Sequence, residues 1–176
     1  MLSTPNETKV LLALFKNPYE AENAYNELLN KGYKQEDITL IMSNKTHETH
    51  FIENYKVTNK VVTKSFQGIS AGGAIGGAAG VIAAALLTIG ATAVPGLGIT
   101  IVGSLATIFA GIGAGVATGS LVGALIGAGI SDEDANKCEQ GIKEGGIVIG
   151  LTPPTTQEYE ELKNSWAQSH SSSNIK

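Results

Sequence analysis

The chain has 176 residues and a formal net charge of −4, and its twelve basic residues are all lysine. Without arginine there is no guanidinium fork for bidentate recognition of phosphates or base edges, which argues against nucleic acid as a partner. The length suits one domain with an insertion. The single cysteine, Cys138, excludes an internal disulfide framework or a CxxC metal site, and fits a reducing, cytosol-facing compartment. Met1 to Asn17 lacks a basic leader and a long enough apolar run, so no signal peptide is expected there.

Lys9 to Lys16 encloses the apolar run VLLALF, of the length and character of a central strand. Asn17-Pro18-Tyr19-Glu20 then reads as a helix start, with Asn as cap and Pro at the first turn. Ala21, Ala24, Tyr25, Leu28 and Leu29 recur at helical spacing and make one apolar face. Lys31-Gly32 ends that helix. Ile38 to Ser43 reads as a second strand, and Tyr55, Val57 and Val61 hint at a third.

Charge then disappears. From Ser65 to Ser131, 67 residues contain no Asp, Glu, Lys, Arg or His, and 17 of the 22 glycines fall there. Gly68, Gly72, Gly76 and Gly80 recur every fourth residue, as do Gly111, Gly115, Gly119, Gly123 and Gly127. On a helix that spacing opens a groove into which another backbone can pack. Pro95, Gly96 and Gly98 lie between the two rows and mark a turn. The expectation is a glycine-zipper helical hairpin, with one helix over about Phe66 to Ala91 and the other over about Ile99 to Gly129. Each is long enough to span a hydrocarbon layer of ~30 Å. Packed copies of the hairpin in a soluble assembly offer a second way to bury it.

After the insert, Ser131-Asp132-Glu133-Asp134 starts a helix with acids in its first turn, favoured by the helix dipole. Ala135, Cys138 and Ile142 form its apolar stripe, and Gly145-Gly146 stops it before the strand Ile147 to Leu151. Thr155-Thr156-Gln157-Glu158 opens a tail helix whose Tyr159, Leu162 and Trp166 share a face, and the serine-rich stretch from His170 to Lys176 reads as disordered. The predicted fold class is α+β, a ferredoxin-like split βαβ sandwich interrupted by the hairpin. Its predicted parts are residues 1–64 (strand-helix-strand), 65–131 (hairpin), 132–153 (helix-strand) and 154–176 (tail).

Chemistry-bearing motifs are few. Gly68-Ile69-Ser70-Ala71-Gly72 matches a G-x-S-x-G elbow, but it opens a glycine-rich helix and has only His170 downstream as a partner. His47, Glu48 and His50 lack a further clustered ligand and read as a solvated loop. Cys138 on its stripe reads as a small buried hydrophobe. No catalytic, metal or cofactor residue is assigned, and the chain is expected not to be an enzyme.

Three stretches carry a family resemblance: Val94-Pro95-Gly96-Leu97-Gly98; the Gly/Ala run ending Gly123-Ala124-Leu125-Ile126-Gly127; and Ser131-Asp132-Glu133-Asp134-Ala135 followed by Glu139 to Ile149. Together they resemble the bacterial glycine-zipper general stress proteins, a low-temperature-induced, general-stress-like membrane protein family. The resemblance covers about Gly68 to Leu151. Cys138 departs from it, because the family often has an aromatic residue there, and the acidic tail after Pro154 is an addition. It implies a stress-linked, membrane-associated role without known chemistry. The functional expectation is therefore a non-enzymatic membrane protein: the hairpin anchors in a lipid bilayer and forms homo-oligomers, and the α/β domain faces the cytoplasm. The alternatives are a soluble homo-oligomeric shell of packed hairpins and, by fold analogy, a small-ligand regulatory module.

Overall fold

The structure is a computed structural model that describes residues 10–52, 80–94, 96–104, 106, 120–127, 130–169 and 173–175. Strand β1, Leu11–Phe15, is buried along its whole length. Helix α1, Pro18–Asn30, begins as the sequence requires: Asn17 Oδ1 accepts a hydrogen bond from the Glu20 amide at 2.9 Å. It closes at Gly32, where the Gly32 and Tyr33 amides donate to Leu29 and Leu28 carbonyls. A 3-10 turn, Gln35–Asp37, leads into β2, Thr39–Ser43, and a helical turn, Asn44–Thr46, runs on into a π-turn, His47–Ile52.

The described part of the uncharged segment contributes helix α2, Gly80–Thr88, the strands β3, Thr92–Val94, and β4, Ile99–Val102, and helix α3, Leu121–Gly127. Helix α4, Asp132–Lys143, is capped by Ser131, whose Oγ accepts from the Asp134 amide at 3.2 Å. Strand β5, Ile147–Leu151, helix α5, Thr156–Ser169, and strand β6, Ser173–Ile175, complete the chain order.

The fold is mixed α+β. Its strands form one sheet in the order β3-β4-β2-β5-β1-β6, with every neighbouring pair antiparallel. It follows that β1 and β2 run parallel with β5 between them, joined over the top by α1. Likewise β5 and β6 run parallel with β1 between them, joined by α5. Both faces are covered. Leu11, Ala13, Phe15, Leu40, Met42, Ile147 and Ile149 pack with residues of α1, α2 and α5, including Trp166. Leu12, Leu14, Ile41, Ile101 and Val148 point the other way, against Leu121 and Leu125 of α3 and Cys138 and Ile142 of α4. Two-sided burial explains why β1 and β5 are continuous apolar runs without alternation.

This architecture corrects the hairpin. Residues read as the start of a long helix, Ile99 to Val102, are instead a buried strand paired with β2, and the turn at Gly96 and Gly98 joins two strands. The physical reason is local. Ile99, Thr100, Ile101 and Val102 are all β-branched, which favours a pleated strand over a helix. Gly96 and Gly98 take φ of 84° and 65°, which suits a tight reversal between strands. Within the described part of the uncharged segment, Ile82, Ala85, Leu86, Ile99, Ile101, Val102, Leu121 and Leu125 are buried between the sheet and helices of the same chain.

The membrane reading falls with the hairpin. Among the described residues, no helix is long and apolar enough to cross a membrane. The membrane-anchored function, the transmembrane hairpin and the membrane localisation are corrected accordingly. Of the glycine rows, Gly80 begins α2, and Gly123 and Gly127 lie on α3, Gly123 half-buried and Gly127 exposed. Gly68, Gly72, Gly76, Gly111, Gly115, Gly119 and Pro95 lie outside the described residues, as does the third strand suggested at Tyr55, Val57 and Val61. The C-terminal stretch read as disordered contributes β6, whose register against β1 pairs Leu12 with Ile175 and Leu14 with Ser173.

Candidate functional site

At one end of the sheet, where β2 begins and β4 and β5 finish, the connecting loops enclose an open cleft of about 820 Å³. One wall is the loop that leaves α1 and carries Lys31, Tyr33 and Lys34; the other is the first half of α5, with Glu158, Glu161 and Leu162. Asp37, Ser104, Thr152 and Pro154 line the cleft from the sheet end. One wall thus carries ammonium groups and the other carboxylates, and Leu162 contributes an apolar side chain.

Each part is fixed by local chemistry. Thr155 Oγ1 accepts from the Glu158 amide at 3.1 Å, capping α5. Ser165 Oγ donates to Glu27 Oε1 at 3.0 Å and ties α5 to α1 farther along. Tyr33 Oη donates to Glu158 Oε2 at 2.7 Å and connects the two walls directly. Burial holds the Tyr33 phenol well above its ordinary titration range, with the hydrogen bond to Glu158 and the charges of Glu158 and Glu161 acting the same way. Ser104 Oγ donates to the Asp37 carbonyl at 3.2 Å. This seats the turn after β4 on the entry to β2, at Gly103, where φ is 97°.

The described lining of the cleft has no histidine or cysteine. The Ser104 hydroxyl donates to the Asp37 carbonyl and lies 3.5 Å from Thr39 Oγ1. Paired charges with hydroxyls around a partly apolar floor can hold a small polar molecule.

Beneath α1 lies a second unusual group. Glu22 is only 4% exposed. Its carboxylate accepts from the Ile82 amide at 3.2 and 3.3 Å and from the Val81 amide at 3.2 Å, at the first turn of α2. Burial raises the Glu22 carboxyl above the ordinary range, and the amides of Ile82 and Val81 oppose that shift. One turn along α1, the Tyr25 hydroxyl is buried with no hydrogen-bond partner among the described residues, and burial together with the Glu22 charge pushes its titration up.

The residues weighed from the sequence are spread across the fold. Ser70 and His170 lie outside the described residues. His47 and His50 occupy the π-turn, and no group of three or more His, Cys, Asp or Glu is positioned to hold a metal among the described residues. Cys138 is fully buried on α4, and burial followed by the nearby Asp134 charge pushes its thiol up to about 12. The sequence reading passed over the cleft: Lys31-Gly32 registered only as a helix stop, and Tyr33 and Lys34 not at all. Glu22 was also missed, although it borders the apolar stripe of Ala21 and Tyr25.

No family model, curated protein or solved structure matches this chain.

Proposed function

We propose that the chain is a non-catalytic binding domain of ferredoxin-like topology, whose cleft takes a small polar ligand bearing both an amine and a carboxylate. The topology rests on the strand order β6-β1-β5-β2 with α1 and α5 on one face, the order of a split βαβ sandwich. In this reading α5 and β6 close the sandwich, and everything between β2 and β5 is insertion. That gives α4 a different place from the one its sequence position suggests. It covers the opposite face and does not close the repeat. The resemblance to glycine-zipper general stress proteins stays within the proposal, carried by the stretches around Val94 to Gly98 and Ser131 to Ile149.

The observation that carries the binding function is the Tyr33 to Glu158 bond between a lysine-bearing wall and a carboxylate-bearing wall. Opposite charges on the two walls orient a dipolar ligand, and the phenol oxygen, its hydrogen already given to Glu158, offers an acceptor between them. The test is a backbone amide NMR titration with glycine, lysine and glutamate in turn. Saturable shifts at Tyr33, Ser104, Thr152 and Glu158, weakened in Lys34→Glu, are expected for at least one of them. No saturable shift up to about 10 mM, where even millimolar affinity registers, would overturn the proposal.

A further inference from the structure

The charges that line the cleft do not cancel. Its described lining carries two ammonium groups, Lys31 and Lys34, and three carboxylates, Asp37, Glu158 and Glu161. Among the described residues no ion pair joins the two sets, and the one pair that involves any of them is Lys31 with Glu27 of α1 at 3.9 Å. Lys31 therefore shares its charge with a carboxylate outside the cleft. Lys34 and Asp37 flank the same 3-10 turn without pairing. The cleft keeps a surplus of negative charge, with Lys34 as its unpaired cation.

The surplus has a definite place. Glu158 and Glu161 are three residues apart on α5, so their Cβ atoms lie about 5–6 Å apart on one face. Glu158 Oε2 already holds the Tyr33 hydroxyl, whereas Glu161 Oε1 accepts only an exposed bond from its helix neighbour Gln157 at 2.9 Å. Leu162 lines the cleft beside them. A zwitterion with one amine and one carboxylate brings no net charge and leaves the surplus standing, and an acidic ligand increases it. A ligand with a further cation removes it. On the reading of the cleft as a binding site, we infer that its ligand is an α-amino acid with a cationic side chain, of the lysine class. Its carboxylate goes to Lys34, its α-ammonium to Glu158 and its side-chain ammonium to Glu161. The methylene stem between the two ammonium groups lies along Leu162. Glu161 is then the residue that sets specificity, because it recognises the group that other amino acids lack.

Backbone amide NMR titrations of the full chain with lysine and with norleucine test this, since the two share a zwitterionic head and an alkyl stem and differ in the terminal ammonium. Lysine should bind about three- to fivefold more tightly than norleucine, the scale of one solvent-exposed ion pair, and glutamate more weakly than either. Glu161 is exposed, so Glu161→Gln keeps the fold and should bring the ratio of the two affinities to about one. Glu160→Gln makes the same change of charge off the cleft lining and should retain the wild-type ratio. Saturable shifts with equal affinities for lysine and norleucine overturn the inference and leave the binding reading standing. A lysine preference that Glu161→Gln leaves intact, or that Glu160→Gln abolishes equally, overturns the role of Glu161. No saturable shift with any of the three amino acids overturns the binding reading itself.

Discussion

Tyr33 and Glu158 stand 125 residues apart in sequence and meet at 2.7 Å, joining the loop after α1 to the first turn of α5. Because this bond spans the cleft, it is both a structural tie and part of the proposed site. Tyr33→Phe should cost about 0.5–1.5 kcal/mol of stability, the usual range for one hydrogen bond, and weaken ligand binding. It should also alter the alkaline limb. The phenols of Tyr33 and Tyr25 are both raised, so the folded chain keeps protons that the unfolded chain surrenders above about pH 10. Their contribution is present in full below that pH and is lost as pH rises beyond it. Urea midpoints measured from about pH 8 to 11 should fall, less steeply in Tyr33→Phe; a level wild-type midpoint contradicts this.

Gly103 permits the close approach of the turn after β4 to Ile38, next to the cleft residue Ser104. Its φ is 97°, and a Cβ there would stand 2.0 Å from the Ile38 carbonyl oxygen. Gly103→Ala should destabilise by about 3 kcal/mol or more, because backbone has to move to accept the methyl group. Gly96, with φ of 84° and open space around it, separates strain from clash. Gly96→Ala should cost only about 1–2 kcal/mol. Equal losses in chemical denaturation would show that the packing at Ile38 is not the source.

How far the sequence reveals this fold depends on where the deciding interaction sits. The caps at Asn17 and Ser131 were legible, since the side chain and the amide it meets are three residues apart. So was the buried face of α4, because its spacing is local. The hairpin was misread for the converse reason. Glycines spaced by four outweighed four β-branched residues, and what makes Ile99–Val102 a strand is the open edge of β2, more than fifty residues earlier. The cleft was invisible for the same reason, as its walls come from the two ends of the chain. Glu22 looked like a solvated helix residue until α2 landed on it.

Trp166 shows how deeply the C-terminal helix is built into the core. It is fully buried and meets Phe15 of β1 edge to face, with ring centroids 5.7 Å apart at 79°. Trp166→Ala should cost about 3–5 kcal/mol. Loss of less than about 1 kcal/mol in equilibrium unfolding, typical of an exposed side chain, would mean that α5 is an appendage.

The account turns on Ile99–Val102 of the uncharged segment being folded into the sheet of its own chain, and native-state hydrogen exchange without detergent tests this most directly. Strand β4 lies between β2 and β3, so the amides of Ile99–Val102 that bond across to them should exchange only with large-scale opening of the sheet. The predicted result is protection there within about tenfold of that at Ile147–Leu151, with or without added micelles. Full exchange of Ile99–Val102 while Ile147–Leu151 stays protected, or protection that develops only when micelles are added, would contradict it.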